Sequence, residues 1–150
     1  NYMYILNTRF GNRIQYSTEI DESITDVKIP CTIIQPIIEN AFIHGLQNLE
    51  RDGLMRLTVR RRGEIIYIEV EDNGTGMDRE QIESVLSLKR KDNMVKKHVS
   101  GIGICNVIER LQLFYNIQKV EDIIEIESEP GCGTRVILKI PYRKDVGDDA

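Results

Sequence analysis

Ile65-Ile66-Tyr67-Ile68-Glu69-Val70-Glu71 runs without a break into Asp72-Asn73-Gly74-Thr75-Gly76. In the first part Ile66, Ile68 and Val70 alternate with Tyr67, Glu69 and Glu71, the period-two pattern of a strand with one buried face. The second part is turn chemistry. A carboxylate at a strand end can accept a hydrogen bond from the exocyclic amine of adenine, while the glycines let the backbone turn sharply against the base. That acceptor would reject guanine, which has a carbonyl there. Read alone, the same five residues are equally an ordinary Asp/Asn/Gly turn.

Working outward, residues 54–60 form a second strand pattern, and the charged link containing Gly63 joins it to residues 65–71 as a hairpin. Residues 78–86 are a short helix with Asp78 as its cap. Residues 87–100 are polar, lysine-rich and aperiodic, and read as a mobile loop. Gly101 and Gly103 then precede a helix in which Ile104, Val107, Ile108, Leu111 and Tyr115 recur at spacings of three and four. Strands at residues 123–128 and 134–140 flank the turn 129–133.

On the N-terminal side, residues 13–20 alternate loosely as a strand, and Pro30 opens a helix to about residue 44 with Ile33, Ile34, Ile37, Ile38, Ala41 and Phe42 on its apolar stripe. Pro36 lacks an amide, so an irregularity is expected in the first turns. Residues 1–10 read as the end of a longer upstream helix, 11–142 as one domain and 143–150 as a frayed tail. Hairpin strands with helices between them make the class α+β, a mixed sheet covered on one face by helices.

Bulk properties narrow the partners. A chain of 150 residues, 41% hydrophobic, can bury one core. Its 20 basic and 24 acidic side chains give a formal charge of -4, without the positive field of a nucleic-acid binder. Cys31, Cys105 and Cys132 lack metal-site spacing and read as free thiols of a reducing cytosol. No apolar run is long enough to cross a bilayer, so no membrane contact is expected of this piece.

Three further motifs carry chemistry. Glu39-Asn40-Ala41 ends the first helix, with His44-Gly45 one turn on. The amide oxygen of Asn40 suits Mg²⁺, which takes its other ligands from water and nucleotide phosphates; read alone, the pair is equally a solvated helix face. Gly101-Ile102-Gly103 at a helix start offers backbone amides to phosphate, although glycines before helices are common. Gly131-Cys132-Gly133-Thr134 places a hydroxyl that could share a water with Asp72 and adenine, or is simply a hairpin turn.

In this order the motifs resemble the nucleotide site of the GHKL superfamily of ATPases and kinases, and within it the sensor histidine kinases of the YesM/LytS type. Gln35-Pro36-Ile37-Ile38-Glu39-Asn40-Ala41 with His44-Gly45 is similar to the N box, Asp72 to Met77 to the G1 box, and Gly101-Ile102-Gly103-Ile104 to the G2 box. The resemblance implies a two-layer α/β sandwich of the Bergerat type that binds ATP and Mg²⁺. Asn40 would hold Mg²⁺. Asp72 would take the adenine, with Gly74, Gly76, Met77 and Thr134 around it. Gly101 and Gly103 would face the phosphates, His44, Ile102 and Ile104 would also belong to the nucleotide site, and residues 77–100 would be the ATP lid.

The chain departs from the family pattern at Ile43, where many histidine kinases carry lysine, so the phosphate cation is sought among Lys91, Lys96 and Lys97. Ile104 replaces the usual leucine, and no separate F box is visible. Hydrolytic members place a glutamate four residues before the magnesium asparagine; here that residue is Pro36, which cannot be a general base. Glu39 is then the candidate acid/base or orienting group. The resemblance implies a protein histidine kinase whose acceptor histidine lies on upstream dimerisation helices, acting on a response regulator from the cytoplasmic side of a membrane-bound sensor. A GHKL binding module, an ATPase or a serine kinase of the anti-sigma-factor type is the alternative.

Overall fold

The computed structural model describes residues 14–24, 31–46, 52–86 and 100–142. The expected upstream helix end, the lysine-rich loop from 87 to 99 and the tail from 143 lie outside the described residues. Among the described residues there are five strands: β1 (Ile14–Ile20), β2 (Gly53–Arg62), β3 (Ile65–Asp72), β4 (Ile124–Ser128) and β5 (Thr134–Pro141). They form one sheet in the order β1-β2-β3-β5-β4. β1 runs parallel to β2, and the other neighbours are antiparallel.

Three helices among the described residues flank the sheet: α1 (Cys31–Asn40), α2 (Arg79–Leu86) and α3 (Ser100–Tyr115), with short 3₁₀ turns at Glu22–Ile24 and Val120–Asp122. α1 and α2 both pack against α3. Period-two alternation turns Met55 and Val59 of β2, Ile66, Ile68 and Val70 of β3, and Val136, Leu138 and Ile140 of β5 toward the helices. They meet Ile37, Ile38 and Phe42 from one side and Ile104, Val107, Ile108 and Leu111 from the other in one buried cluster. On the opposite face Arg60, Glu69, Arg135 and Glu127 form an ion-pair ladder across four strands, at 2.8, 2.9 and 3.3 Å. One apolar face and one charged face produce a two-layer α+β sandwich, as the sequence pattern requires.

Two local features differ from the sequence reading. α1 passes through Pro36 as α-helix, and the irregularity comes later, as a π-helical turn at Ala41–Leu46. Pro36, sixth of the ten helical residues, lacks one amide and so forgoes one intrahelical bond, whereas the i→i+5 turn keeps both Phe42 and Leu46 buried. Second, Gly101 and Gly103 do not precede α3; the helix starts at Ser100 and contains both. First-turn amides have no intrahelical acceptor, so glycine is tolerated there more readily than in mid-helix. The expected cap is present: Asp78 caps α2 reciprocally, the Gln81 amide donating to Asp78 Oδ1 and the Asp78 amide to Gln81 Oε1, both at 2.8 Å.

Candidate functional site

Strand register assembles the first half of the site. Met55 of β2 pairs with Asp72 of β3, Asp72 with Thr134 of β5, and Thr134 with Ser128 of β4. All four lie on the helix-covered face, so one row at the sheet's end carries three polar side chains where the rows behind it are apolar. Asp72 and Thr134 are 6% and 8% exposed, which makes them buried polar groups that need partners.

Asp72 Oδ1 accepts the Gly74 amide at 2.8 Å. Burial pushes the carboxyl up to about 6; the amides of Gly74 and Thr134 oppose that rise and the nearby charge of Glu71 adds to it. The loop after β3 is fastened to the turn after β4. The Met77 amide donates to Ser128 Oγ at 2.8 Å, and the Gly131 amide donates to the Thr75 carbonyl at 2.7 Å. Two glycines make this contact possible. Gly76 and Gly133 have φ of 73° and 85°, and a Cβ on them would lie 2.0 Å from the Glu129 carbonyl oxygen and 2.1 Å from that of Asp72. Neither position tolerates a side chain.

The second half of the site comes from the helices. Asn40 is the last residue of α1, 5% exposed, and its Oδ1 is buried with no hydrogen-bond partner. An orphaned buried acceptor costs on the order of 1–3 kcal/mol, which a bound ion or an ordered water would relieve. The π turn that follows packs on β2 and β3, and α1 packs on α3. Asn40 thus stands at the junction of α1 and the π turn.

The other sequence candidates divide clearly. Glu39 is partly exposed at the end of α1, and its Oε1 accepts from Gln35 Nε2 at 3.3 Å. His44 lies in the π turn, and its side chain, like those of residues 100–103, is outside the described residues. Ile104 is fully buried in the core, so only its backbone can face a ligand, and Met77 is 7% exposed. Cys105 donates to the Val85 carbonyl from within the fold, whereas Cys132 is exposed. Lys91, Lys96 and Lys97 lie outside the described residues.

Ser128 is the residue that the sequence reading missed. A serine at the end of a strand carries no motif. The available signal was that Ser128 and Thr134 bracket the turn 129–133, which makes them cross-strand partners once the two strands are read as a hairpin.

Among the described residues no cluster of histidine, cysteine or carboxylate side chains could hold a metal by itself. The donor set fits a hard cation that takes one neutral protein oxygen and completes its shell with phosphate and water, the habit of Mg²⁺. Asn40 Oδ1 has the chemistry and the unmet valence for that role. A hollow of about 350 Å³ at the same end of the sheet is lined by Leu54, Arg56, Glu71 and Cys132 together with Met55 and Asp72 of this row.

A mixed, mainly antiparallel sheet flanked by three helices, with this polar row at its end, is the Bergerat, or GHKL, architecture. Residues 25–144 match the family of histidine kinase-, DNA gyrase B- and HSP90-like ATPases, and the chain belongs to that family. It is 32% identical over 146 residues to the sensor histidine kinase YesM of Bacillus subtilis (strain 168), covering 97% of this chain and 23% of that protein. It is 33% identical over 144 residues to the sensor histidine kinase YpdA of Escherichia coli (strain K12), covering 96% and 23%. The chain thus spans about a quarter of the length of these relatives. Among solved structures it resembles the mycobacterial sensor histidine kinase MprB, with TM-score 0.62 at 12% identity, over 94% of this chain and 89% of that one. The catalytic domain of the histidine kinase ThkA gives TM-score 0.61 at 15% identity, over 95% and 91%. No helix among the described residues is long and apolar enough to cross a membrane.

Proposed function

We propose that this chain is the ATP-binding catalytic domain of a sensor histidine kinase of the YesM/LytS type. It would transfer the γ-phosphate of ATP to a histidine on upstream dimerisation helices, from which a response regulator is phosphorylated on the cytoplasmic side of a membrane-bound sensor. The observation that carries the nucleotide reading is the orphaned amide oxygen of Asn40, buried at a helix end that packing directs toward the sheet and α3.

In this reading Asp72 accepts from the adenine amine, and Thr134 stands beside it in register. The tight turns at Gly76 and Gly133 hold the loop against the base. Amides of the first turn of α3, from Gly101 to Gly103, face the phosphates, where a helix N-terminus favours negative charge without requiring a basic surface. Asn40 would hold Mg²⁺, which, when bound, neutralises charge on the phosphoryl oxygens. Glu39, partly exposed one residue away, is placed to orient an incoming imidazole or take its proton.

Pro36 at the position of the hydrolytic glutamate leaves water without an activating base, which favours transfer over hydrolysis. Phosphoryl transfer depends mostly on alignment and charge stabilisation, so the chain alone should bind ATP without turning it over. The test supplies the helical segment that precedes this domain as a separate polypeptide, with labelled ATP. The expected product is phosphohistidine, labile to acid and stable to base. Rapid hydrolysis by the chain alone, or an acid-stable phosphoserine on a partner, would overturn the histidine-kinase reading.

A further inference from the structure

Ser128 is partly buried, has no place in the motifs of the sequence, and makes three contacts through one oxygen. Its Oγ lies 2.8 Å from the Met77 amide nitrogen, 2.8 Å from the Gly133 carbonyl oxygen and 2.8 Å from Thr134 Oγ1. A hydroxyl has one proton and two acceptor positions. The Met77 N–H can only donate, and the Gly133 carbonyl can only accept. The Ser128 proton therefore goes to Gly133, because otherwise two oxygens would stand 2.8 Å apart with no hydrogen between them. The remaining lone pair of Ser128 faces Thr134 and must be filled by the Thr134 proton.

The count leaves Ser128 saturated and Thr134 with its only hydroxyl proton committed. Toward a ligand, Thr134 Oγ1 can then only accept. Its register partner Asp72 already takes the Gly74 amide on Oδ1. When ionised, this carboxylate too can only accept, and burial sets that transition at about 6. The row thus offers acceptors and no side-chain donor.

We infer that Ser128 is a positioning residue: by claiming the Thr134 proton it fixes that hydroxyl as an acceptor, and so helps the site prefer a 6-aminopurine to a 6-oxopurine. The inference rests on the adenine reading above. An exocyclic amine supplies protons to acceptors, whereas a 6-oxo group would set oxygen against oxygen. Without Ser128 the Thr134 hydroxyl is free to rotate and donate to such an oxygen. A group that merely braced the loop from residue 72 to 77 would weaken both purines alike.

The test is calorimetric titration of this chain with ATP and with ITP, which carries a 6-oxo base on the same ribose triphosphate. The unsubstituted chain should prefer ATP. Ser128→Ala should lower the ratio of ATP to ITP affinity by roughly tenfold, the scale of one mismatched buried hydrogen bond. Ser128→Thr, which retains the hydroxyl, should hold the ratio. Thr134→Val keeps the shape and deletes the acceptor, and should lower the ratio even if Ser128→Ala does not fold. An unchanged ratio in Ser128→Ala, with both nucleotides weakened equally, would overturn the inference and leave the adenine reading standing. An unsubstituted chain that binds ATP and ITP equally would overturn both.

Discussion

Asp72→Asn should make the nucleotide-free protein more stable while impairing its binding of ATP. The carboxyl is 6% exposed, and burial raises it from the ordinary 3.8 to about 6. As pH rises past 3.8 the unfolded chain loses this proton while the folded chain keeps it, so the folded state binds more protons and stability falls with pH. The fall ends above about 6, where both states are ionised, and by then it amounts to about 3 kcal/mol. Asparagine cannot titrate, and its Oδ1 can still accept the Gly74 amide. Losing the stronger bonds that a charged acceptor makes offsets part of the gain, leaving a net stabilisation of about 1–2 kcal/mol at pH 8. Urea denaturation of both proteins without nucleotide from pH 4 to 8 measures it, because the difference between the two curves cancels every other titrating group. The difference should grow between pH 4 and 6 and then level off, while calorimetry at pH 8 finds ATP affinity reduced at least about tenfold. A flat difference curve, or a destabilised variant at pH 8, would refute the argument that burial strains this carboxylate.

Asn40→Ala removes the orphaned oxygen, a relief that offsets the loss of buried side-chain packing, so it should leave stability without nucleotide within about 1 kcal/mol of the parent while abolishing the Mg²⁺ dependence of ATP binding; a magnesium titration monitored by calorimetry checks this, and an unchanged dependence would remove Asn40 from the site. Gly131 and Gly133 have nearly the same φ, 83° and 85°, but a Cβ on Gly131 meets nothing within 4 Å and one on Gly133 meets the Asp72 carbonyl oxygen at 2.1 Å. Gly131→Ala should therefore cost about 1 kcal/mol of backbone strain and Gly133→Ala more than about 3 kcal/mol by denaturation. Similar costs at the two positions would mean that steric contact is not what reserves Gly133 for glycine.

Much of the fold was legible because its strands obey a simple period. Ile66, Ile68 and Val70 alternate with polar neighbours, and that alternation defines both the strand and its buried face before any pairing is known. The candidates at Asn40, Asp72 and Thr134 were legible as residue types in turn or helix-end contexts. What they lacked was register. Nothing in residues 124–128 or 134–141 says that Thr134 stands opposite Asp72 rather than two residues away, because that choice depends on pairing between strands more than 60 residues apart. Ser128 went unread because a serine at a strand end carries no motif, although its pairing with Thr134 across the turn 129–133 is local. The π turn after Asn40 was hidden too, since the apolar pattern of Ile37, Ile38, Ala41 and Phe42 fits a continuous α-helix, and the wider turn comes from packing against β2 and β3.

The parallel pairing of β1 with β2 constrains how this chain can change in length. An antiparallel neighbour can be reached through a two-residue turn, as between β2 and β3, but a parallel neighbour requires the chain to travel back along the whole sheet before it can pair. Here that return path is residues 21–52, and it carries α1 and the π turn. Asn40 therefore rides on the connection that deletion cannot shorten without separating two strands. The turn Gly63-Glu64 spans its two strands with two residues; the segment bearing the candidate magnesium ligand must cross the whole sheet, whatever happens to its sequence.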